Sequence, residues 1–171
     1  LFGSDAHVIL LLDEIQNIID SCEGVESAAD LSESRDEKMM LFFNKIRGYN
    51  TLVVSAKKDD TASIKKSLGF ALNVDSVESG MGVMEVLAKK KYILVFIDIG
   101  LTDPDPFELL SQIRRVYSRR QVTVIVTASK MDAVTLNRLK VLGTDYVVLP
   151  PFSKSRMMIK VFEFISADRK K

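Results

Sequence analysis

The sequence predicts an α/β protein built on a doubly wound parallel sheet, and three features of its 171 residues carry this prediction. Beyond Gly48, short apolar runs alternate with helical stretches through five repeats. The central runs ILVFI and VTVIV are apolar without alternation, which is typical of strands that helices cover on both faces. The connections are short, as in units that alternate a strand with a helix. Such a sheet places functional groups at the carboxyl ends of its strands.

Length and composition limit the organisation of the chain. With 47% hydrophobic residues, 171 residues suffice for one main domain and an appended helical segment. No apolar run approaches the roughly 20 residues that span a bilayer, so we expect no membrane span. Residues 1–50 hold ten acidic against four basic residues, and the remaining residues hold thirteen against twenty. Without an Arg-rich arm or interleaved aromatic residues, this pattern makes nucleic acid a poor candidate partner.

The acidic part of the chain predicts two helices. Apolar residues from Val8 to Cys22 recur at helical spacing, which predicts a helix from about Asp5 to Ser21. A strand through HVILLLDE is the alternative, but the periodicity continues for two more turns. Residues 22–34 are small and polar and predict a loop.

A second helix is predicted to begin at Ser34, which lies three residues before Glu37 as in a capping box, and to end near Gly48. The two amphipathic helices must bury their apolar faces against each other, against the main domain or against a second subunit. We therefore divide the chain into a helical segment, 1–48, and a main domain, 49–171.

The main domain is predicted to contain five strands and five helices. The strands are Leu52–Ser55, Ala71–Asp75, Ile93–Ile97, Val122–Val126 and Tyr146–Leu149. The helices are Thr61–Leu68, Met81–Lys90, Phe107–Tyr117, Asp132–Leu142 and Lys154–Ala167. Asp98 follows the third strand, where this architecture places its functional groups.

From about Tyr49 to Ala167 the sequence resembles the receiver domain of two-component response regulators. DIGLTDPDPFEL, starting at Asp98, matches the stretch that follows the family's phosphoacceptor aspartate. Thr127-Ala128 matches the Thr/Ser-Ala pair after the fourth strand, and GTDYVVLPPF resembles the segment around the fifth strand. The resemblance implies a flavodoxin-like five-stranded parallel sheet of order 2-1-3-4-5, preceded here by the helical segment.

The resemblance also implies roles for single residues. Asp98 would accept a phosphoryl group from a kinase histidine, and Thr127 would bond one of its oxygens. Tyr146 corresponds to the family's switch aromatic, and the main-chain carbonyl of Gly100 would be a ligand of Mg²⁺.

Two parts of the family's site are replaced. Ser55 and Ala56 stand where the family has the acidic pair that holds Mg²⁺, a loss that should weaken metal binding severely. Asp59 and Asp60 could substitute only if that loop is rebuilt. Pro150 or Leu149, depending on the alignment, stands where the family has the lysine that pairs with the acyl phosphate. The Pro150-Pro151 bond resembles the family's Lys-Pro bond, where a cis peptide is usual.

The sequence therefore predicts an atypical receiver, or pseudo-receiver, that works without catalysis by binding a signalling protein: a kinase, a phosphotransfer protein or an output domain. No cofactor is expected. The alternative is a working receiver phosphorylated on Asp98, with Mg²⁺ bound. A third interpretation, a small ligand at the strand ends, lacks a Gly-rich phosphate loop.

The helices before the domain suggest the C-terminal receiver of a hybrid sensor histidine kinase. They would form a linker or a homodimer contact. We expect a cytoplasmic location, within a larger membrane-associated kinase if the hybrid interpretation holds.

Overall fold

The structure, a computed structural model, describes the backbone of residues 28–168 and the side chains of residues 35–165. The helix predicted between Asp5 and Ser21 lies outside the described residues. None of the helices in the described part is long and apolar enough to cross a membrane.

Six helices and five strands alternate along the described chain. They are α1 (Ala28–Lys45), β1 (Asn50–Val54), α2 (Lys58–Leu68), β2 (Asn73–Val77), α3 (Val83–Lys89), β3 (Tyr92–Asp98), α4 (Pro106–Val116), β4 (Thr123–Thr127), α5 (Ala133–Leu142), β5 (Tyr146–Val148) and α6 (Lys154–Asp168). All strand pairs are parallel, and the sheet order is β2-β1-β3-β4-β5. The predicted fold class, including the strand order, is confirmed.

Several predicted boundaries differ from the observed ones; for example, α2 begins at Lys58 rather than Thr61. Two further differences have an identifiable cause. Helix α1 begins at Ala28, so the loop predicted over residues 22–34 does not continue past residue 27, and Ser34 lies inside the helix instead of capping it. The run from Ala28 to Glu33 includes strong helix formers, which outweigh its short polar residues. Strand β2 begins at Asn73 rather than at Ala71. Ala71 is buried in the turn before the strand, so its apolar character reflects core packing and not strand pairing.

The sheet separates two hydrophobic cores. On one face, β-strand residues pack against α3, α4 and α5, with Leu87, Leu110 and Leu139 among the buried side chains. On the other face they pack against α1, α2 and α6, where Ile64 and Val161 are buried. Because both faces are covered, the central strands carry unbroken apolar runs.

Helix α1 buries its apolar face against the main domain. Phe43 and the following Ile46 are almost fully buried. The ring of Phe42 contacts Phe162 of α6 edge to face, with centroids 5.2 Å apart. Arg35 of α1 forms an ion pair with Glu163 of α6 at 3.3 Å. Of the three alternatives considered for the apolar face of this helix, packing against the main domain is the one that the structure shows.

Tyr92, the first residue of the central strand β3, has a buried phenol that offers a test of the fold. The Tyr92 hydroxyl donates to Asp75 on β2 at 2.7 Å, and Lys90 also binds that carboxylate. Burial, followed by the hydrogen bond to Asp75, raises the pKa of Tyr92 to about 12. The bond to Lys90, followed by the bond from Tyr92, lowers the pKa of Asp75.

We expect the Tyr92 phenol to give a late ionisation phase, near pH 12, when the absorbance of phenolate is followed with rising pH. The phenol of an unfolded chain titrates near pH 10. The folded state therefore binds more protons between about pH 10 and 12, and stability falls across that range. In Tyr92→Phe the late phase should disappear, whereas Tyr49→Phe, which removes an exposed phenol, should leave it. A late phase that survives Tyr92→Phe would contradict this assignment.

Candidate functional site

The carboxyl ends of the three central strands meet at one edge of the sheet. Asp98 ends β3 and lies directly opposite Thr127, the last residue of β4. Ser55 follows β1 on the other side of β3. All three side chains are buried, and Asp98 is only 3% exposed. The topology thus brings Asp98, Thr127 and Ser55 together.

The Asp98 carboxylate accepts three hydrogen bonds from the described residues. Oδ1 accepts from the backbone N–H of Gly100 at 3.0 Å and from the ammonium of Lys57 at 3.3 Å. Oδ2 accepts from the Ser55 hydroxyl at 3.3 Å. Buried carboxylates are stable only when paired and hydrogen-bonded, and these donors supply both conditions.

The loop between β1 and α2 directs Lys57 toward the site. The Ser55 backbone N–H donates to Val77 at the end of β2, which extends the sheet by one bond. The Ser55 hydroxyl accepts from the Lys57 backbone N–H at 3.1 Å. One hydroxyl therefore turns the chain into α2 and also binds Asp98. Ser55, which the sequence presents as a lost carboxylate, has a structural function of its own.

Lys57 was not among the residues predicted for the site. The signal was present in TLVVSAKKDD, where a lysine follows the two positions of the missing acidic pair. A basic residue at this distance from the strand can reach the carboxylate that a metal ion would otherwise neutralise. About half of the Lys57 side chain is exposed, whereas the carboxylate that it pairs with is buried.

The candidate metal ligands are not assembled. Asp59 and Asp60 lie in the first turn of α2, where negative charge complements the helix dipole. Among the side chains that the structure describes, those of residues 35–165, no three His, Cys, Asp or Glu form a group that could hold a metal ion. Asp59 and Asp60 therefore do not join Asp98, and Gly100 contacts the carboxylate through its N–H.

The position of the family's lysine is apolar. Leu149 and Pro150 follow β5, and the Pro150-Pro151 peptide is cis, as its resemblance to the Lys-Pro bond implied. The nearest downstream lysine, Lys154, places its ammonium 4.6 Å from the ring centroid of Phe70. Phe70 packs against the core formed with α1, α2 and α6, on the other face of the sheet from α4. The cation beside Asp98 thus comes from the loop after β1 and not from the loop after β5.

Tyr146, the candidate switch aromatic, stacks on Phe164 of α6. It begins β5 and pairs with Ile125, whereas Thr127 pairs with Val148. The Tyr146 ring packs against the core formed with α1, α2 and α6. Helix α6 therefore holds this ring.

The stretch after Asp98 is shaped by two prolines. The Asp103-Pro104 peptide is cis, and Pro106 is the first residue of α4. Asp105 caps that helix by accepting from the Glu108 N–H at 2.9 Å. Proline is favoured at this position because its fixed φ suits the first turn. Pro106 thus leads the loop directly into a capped helix.

This fold and this site define a receiver-type protein. A family model for the response regulator receiver domain matches residues 50–162, so the chain belongs to that family. A comparison with curated protein sequences finds no match.

Solved structures with the same fold include three that cover about 70% of this chain each. A response regulator from Thermotoga maritima is 21% identical over 98% of its own chain, with a TM-score of 0.63. A CheY-like receiver domain protein from Methanospirillum hungatei is 18% identical over 98% of its chain, with a TM-score of 0.64. The chemotaxis response regulator CheY4 of Vibrio cholerae is 13% identical, also over 98%, with a TM-score of 0.60.

Proposed function

We propose that this chain is a pseudo-receiver in which a lysine ion pair replaces the metal-dependent phosphoryl site, and that it signals by binding a protein partner. The observation that carries the proposal is the set of donors on Asp98. Ser55, Gly100 and Lys57 occupy both carboxylate oxygens. The negative charge of Asp98 is thereby balanced by a cation of the same chain.

The chemistry of phosphoryl transfer supports this proposal. An incoming phosphoryl group must have its charge neutralised and its oxygens held in line, which a divalent metal ion and a cation do together. Here one ammonium faces one carboxylate, and the two positions that would hold the metal carry a hydroxyl and a methyl group. Binding of a metal would have to displace Lys57 without gaining a second carboxylate.

The partner surface that we propose lies on α5, β5 and α6, from about Met131 to Phe164. Two valines of α5, Val134 and Val141, are more than three quarters exposed. They are seven residues apart and therefore lie on one face of the helix. Such an exposed apolar face suits a signalling protein such as a kinase, a phosphotransfer protein or an output domain.

A working phosphoacceptor is the second candidate, and Lys57 is the observation that favours it. Its ammonium lies 3.3 Å from Asp98 Oδ1 and is partly exposed, so it could move to a bound phosphoryl group as the family's lysine does. Thr127 is opposite Asp98 and could bond a phosphoryl oxygen. This candidate requires Mg²⁺ held by Asp98, the Gly100 carbonyl and rearranged Asp59 or Asp60.

Mass analysis of the intact protein after incubation with acetyl phosphate and Mg²⁺ distinguishes the two candidates. We expect no phosphoryl adduct in the wild-type protein, because the metal site lacks two carboxylates. Asp98→Asn is the control for adducts elsewhere. An adduct that requires Mg²⁺ and Asp98 would overturn the pseudo-receiver proposal. Its loss in Lys57→Met would then assign the role of the missing lysine to Lys57.

We further propose that the domain belongs to a longer cytoplasmic signalling protein, as a receiver placed behind a sensor kinase core. The docking of α1 on α6 supports a fixed connection to whatever precedes the domain. Met40 and Leu41 on the outer side of α1 are exposed and could pair two copies. Light scattering during size-exclusion chromatography would show a dimer that Leu41→Asp dissociates; a wild-type monomer would contradict the pairing.

A further inference from the structure

A groove of about 670 Å³ opens at the amino ends of β1, β3 and β4, at the opposite end of the sheet from Asp98. The segment before β3 forms one wall, and the turn before β4 forms the other. This volume falls within the range of pockets that bind small molecules. The groove has no part in the function proposed above.

The groove is strongly basic. Lys89, Lys90, Lys91 and Arg120 line it, and none of its lining residues is acidic. Lys90 is neutralised by Asp75. The other three make no ion pair with any side chain between residues 35 and 165, so the lining of the groove carries three cationic residues without an anionic partner there. Like charges in one place repel each other, and an anion bound between them relieves that repulsion.

Aromatic and apolar side chains form the rest of the lining. Tyr49 is 43% exposed, and Tyr117, which precedes β4, is half-buried. Leu87 and Val122 are buried beneath them. A ligand that fills the groove therefore meets flat rings as well as cations. Tyrosine rings stack on aromatic bases.

Hydrogen bonds hold both walls in place. The Asn50 side chain donates to the Lys91 carbonyl at 2.8 Å, which joins the first wall to β1. Arg114 donates to the carbonyls of Tyr117 and Val122 at 3.4 and 2.8 Å, which fixes the ends of the second wall. The backbone of both walls is thus fixed before any ligand binds, so binding has to order only the exposed cationic side chains.

We propose that this groove binds a nucleoside phosphate, with Lys89, Lys91 and Arg120 on the phosphate groups and Tyr49 and Tyr117 against the base. Charge-assisted bonds from lysine and arginine to phosphate are among the stronger polar contacts. Inorganic phosphate alone would leave most of the groove unfilled. The combination of cations and rings therefore selects a nucleotide.

Calorimetric titration with ADP in magnesium-free buffer containing EDTA tests the proposal, since it excludes metal-dependent binding near Asp98. We expect saturable binding that weakens at least about tenfold in the triple variant Lys89→Gln, Lys91→Gln, Arg120→Gln. The matched control, Lys38→Gln, Lys66→Gln, Lys140→Gln, removes three exposed cations from other helices and should leave the affinity unchanged. No saturable binding, or equal losses in both variants, would overturn the proposal.

Inorganic pyrophosphate and a tyrosine variant test the part of the proposal that concerns the base. Tyr49→Ala with Tyr117→Ala should weaken ADP binding about tenfold through lost stacking and leave pyrophosphate binding as it was. Unchanged ADP binding in that variant would rule out a nucleoside and overturn the proposal. Thermal unfolding of each variant, compared with the wild-type protein, checks that the substitutions act on the groove and not on the fold.

Discussion

Substituting aspartate for both Ser55 and Ala56 is expected to create a Mg²⁺ site at Asp98. The wild-type site holds one carboxylate against the ammonium of Lys57. The double variant holds three carboxylates against the same ammonium, at the edge of the sheet where parallel strands end. Mg²⁺ favours carboxylate oxygens, and each charge within ~4 Å of the ion contributes several kcal/mol at an effective dielectric constant of about 20, before desolvation is subtracted. We expect Mg²⁺ affinity to rise at least about tenfold.

Calorimetric titration with MgCl₂ measures this gain, and the chain offers a closely matched control. Ala62→Asp with Ser63→Asp adds two carboxylates to exposed positions of α2, by substitutions of the same types. That variant should bind Mg²⁺ no better than the wild-type protein. Adding Asp98→Asn to the double variant should remove most of the gain. Equal gains in the double variant and the control would show that net charge, and not the site, attracts the ion.

The role of Lys57 follows from a third variant. If its ammonium takes the place of a metal ion, Lys57→Met in the background of the double variant should strengthen Mg²⁺ binding further, because a competing cation is gone. A weaker Mg²⁺ affinity in that variant would instead show that Lys57 supports the metal site. The pseudo-receiver proposal requires the stronger Mg²⁺ binding.

Replacing Asp145 by alanine is expected to cost about 3–5 kcal/mol of unfolding free energy, the range for breaking a buried ion pair. Its carboxylate is 4% exposed and binds Arg114 at 2.6 Å and the Val124 N–H at 2.7 Å. Arg114 also donates to the Gly143 carbonyl at 2.7 Å. Loss of Asp145 would leave a buried guanidinium without its charge partner and the start of β4 without an acceptor.

Urea denaturation measures this cost, and Arg119 provides the control. Arg119 contacts the other oxygen of Asp145 at 3.5 Å, but about half of its side chain is exposed. Arg119→Gln should therefore change stability by less than about 1 kcal/mol, as exposed ion pairs do. Comparable losses in the two variants would contradict the assignment of stability to the buried pair.

These two expectations describe different parts of one architecture. The carboxyl ends of the strands carry Asp98 and its hydrogen-bond donors, on which the proposed function depends. The amino ends of β4 and β5 carry a buried network that holds the sheet together. Substitutions at the Asp98 edge can therefore be tested for metal binding with the Arg114–Asp145 network left intact.

The sequence by itself determined the alternation of strands and helices, the parallel sheet and the position of Asp98. These follow from local patterns: apolar runs such as ILVFI form buried strands, and a polar residue at the end of such a run reaches the functional edge. Residues 50–162 also carry enough of the receiver pattern to define the family and hence the strand order.

Only the tertiary structure decided what neutralises Asp98. Lys57 and Asp98 lie 41 positions apart in the chain, and their contact depends on the parallel pairing of β1 with β3 and on the turn set by Ser55. The stacking of Tyr146 on Phe164 and the docking of α1 on α6 likewise depend on side chains from distant elements. Local periodicity determines whether a segment forms a helix or a strand. Contacts between distant segments are instead set by packing and charge once the sheet has formed.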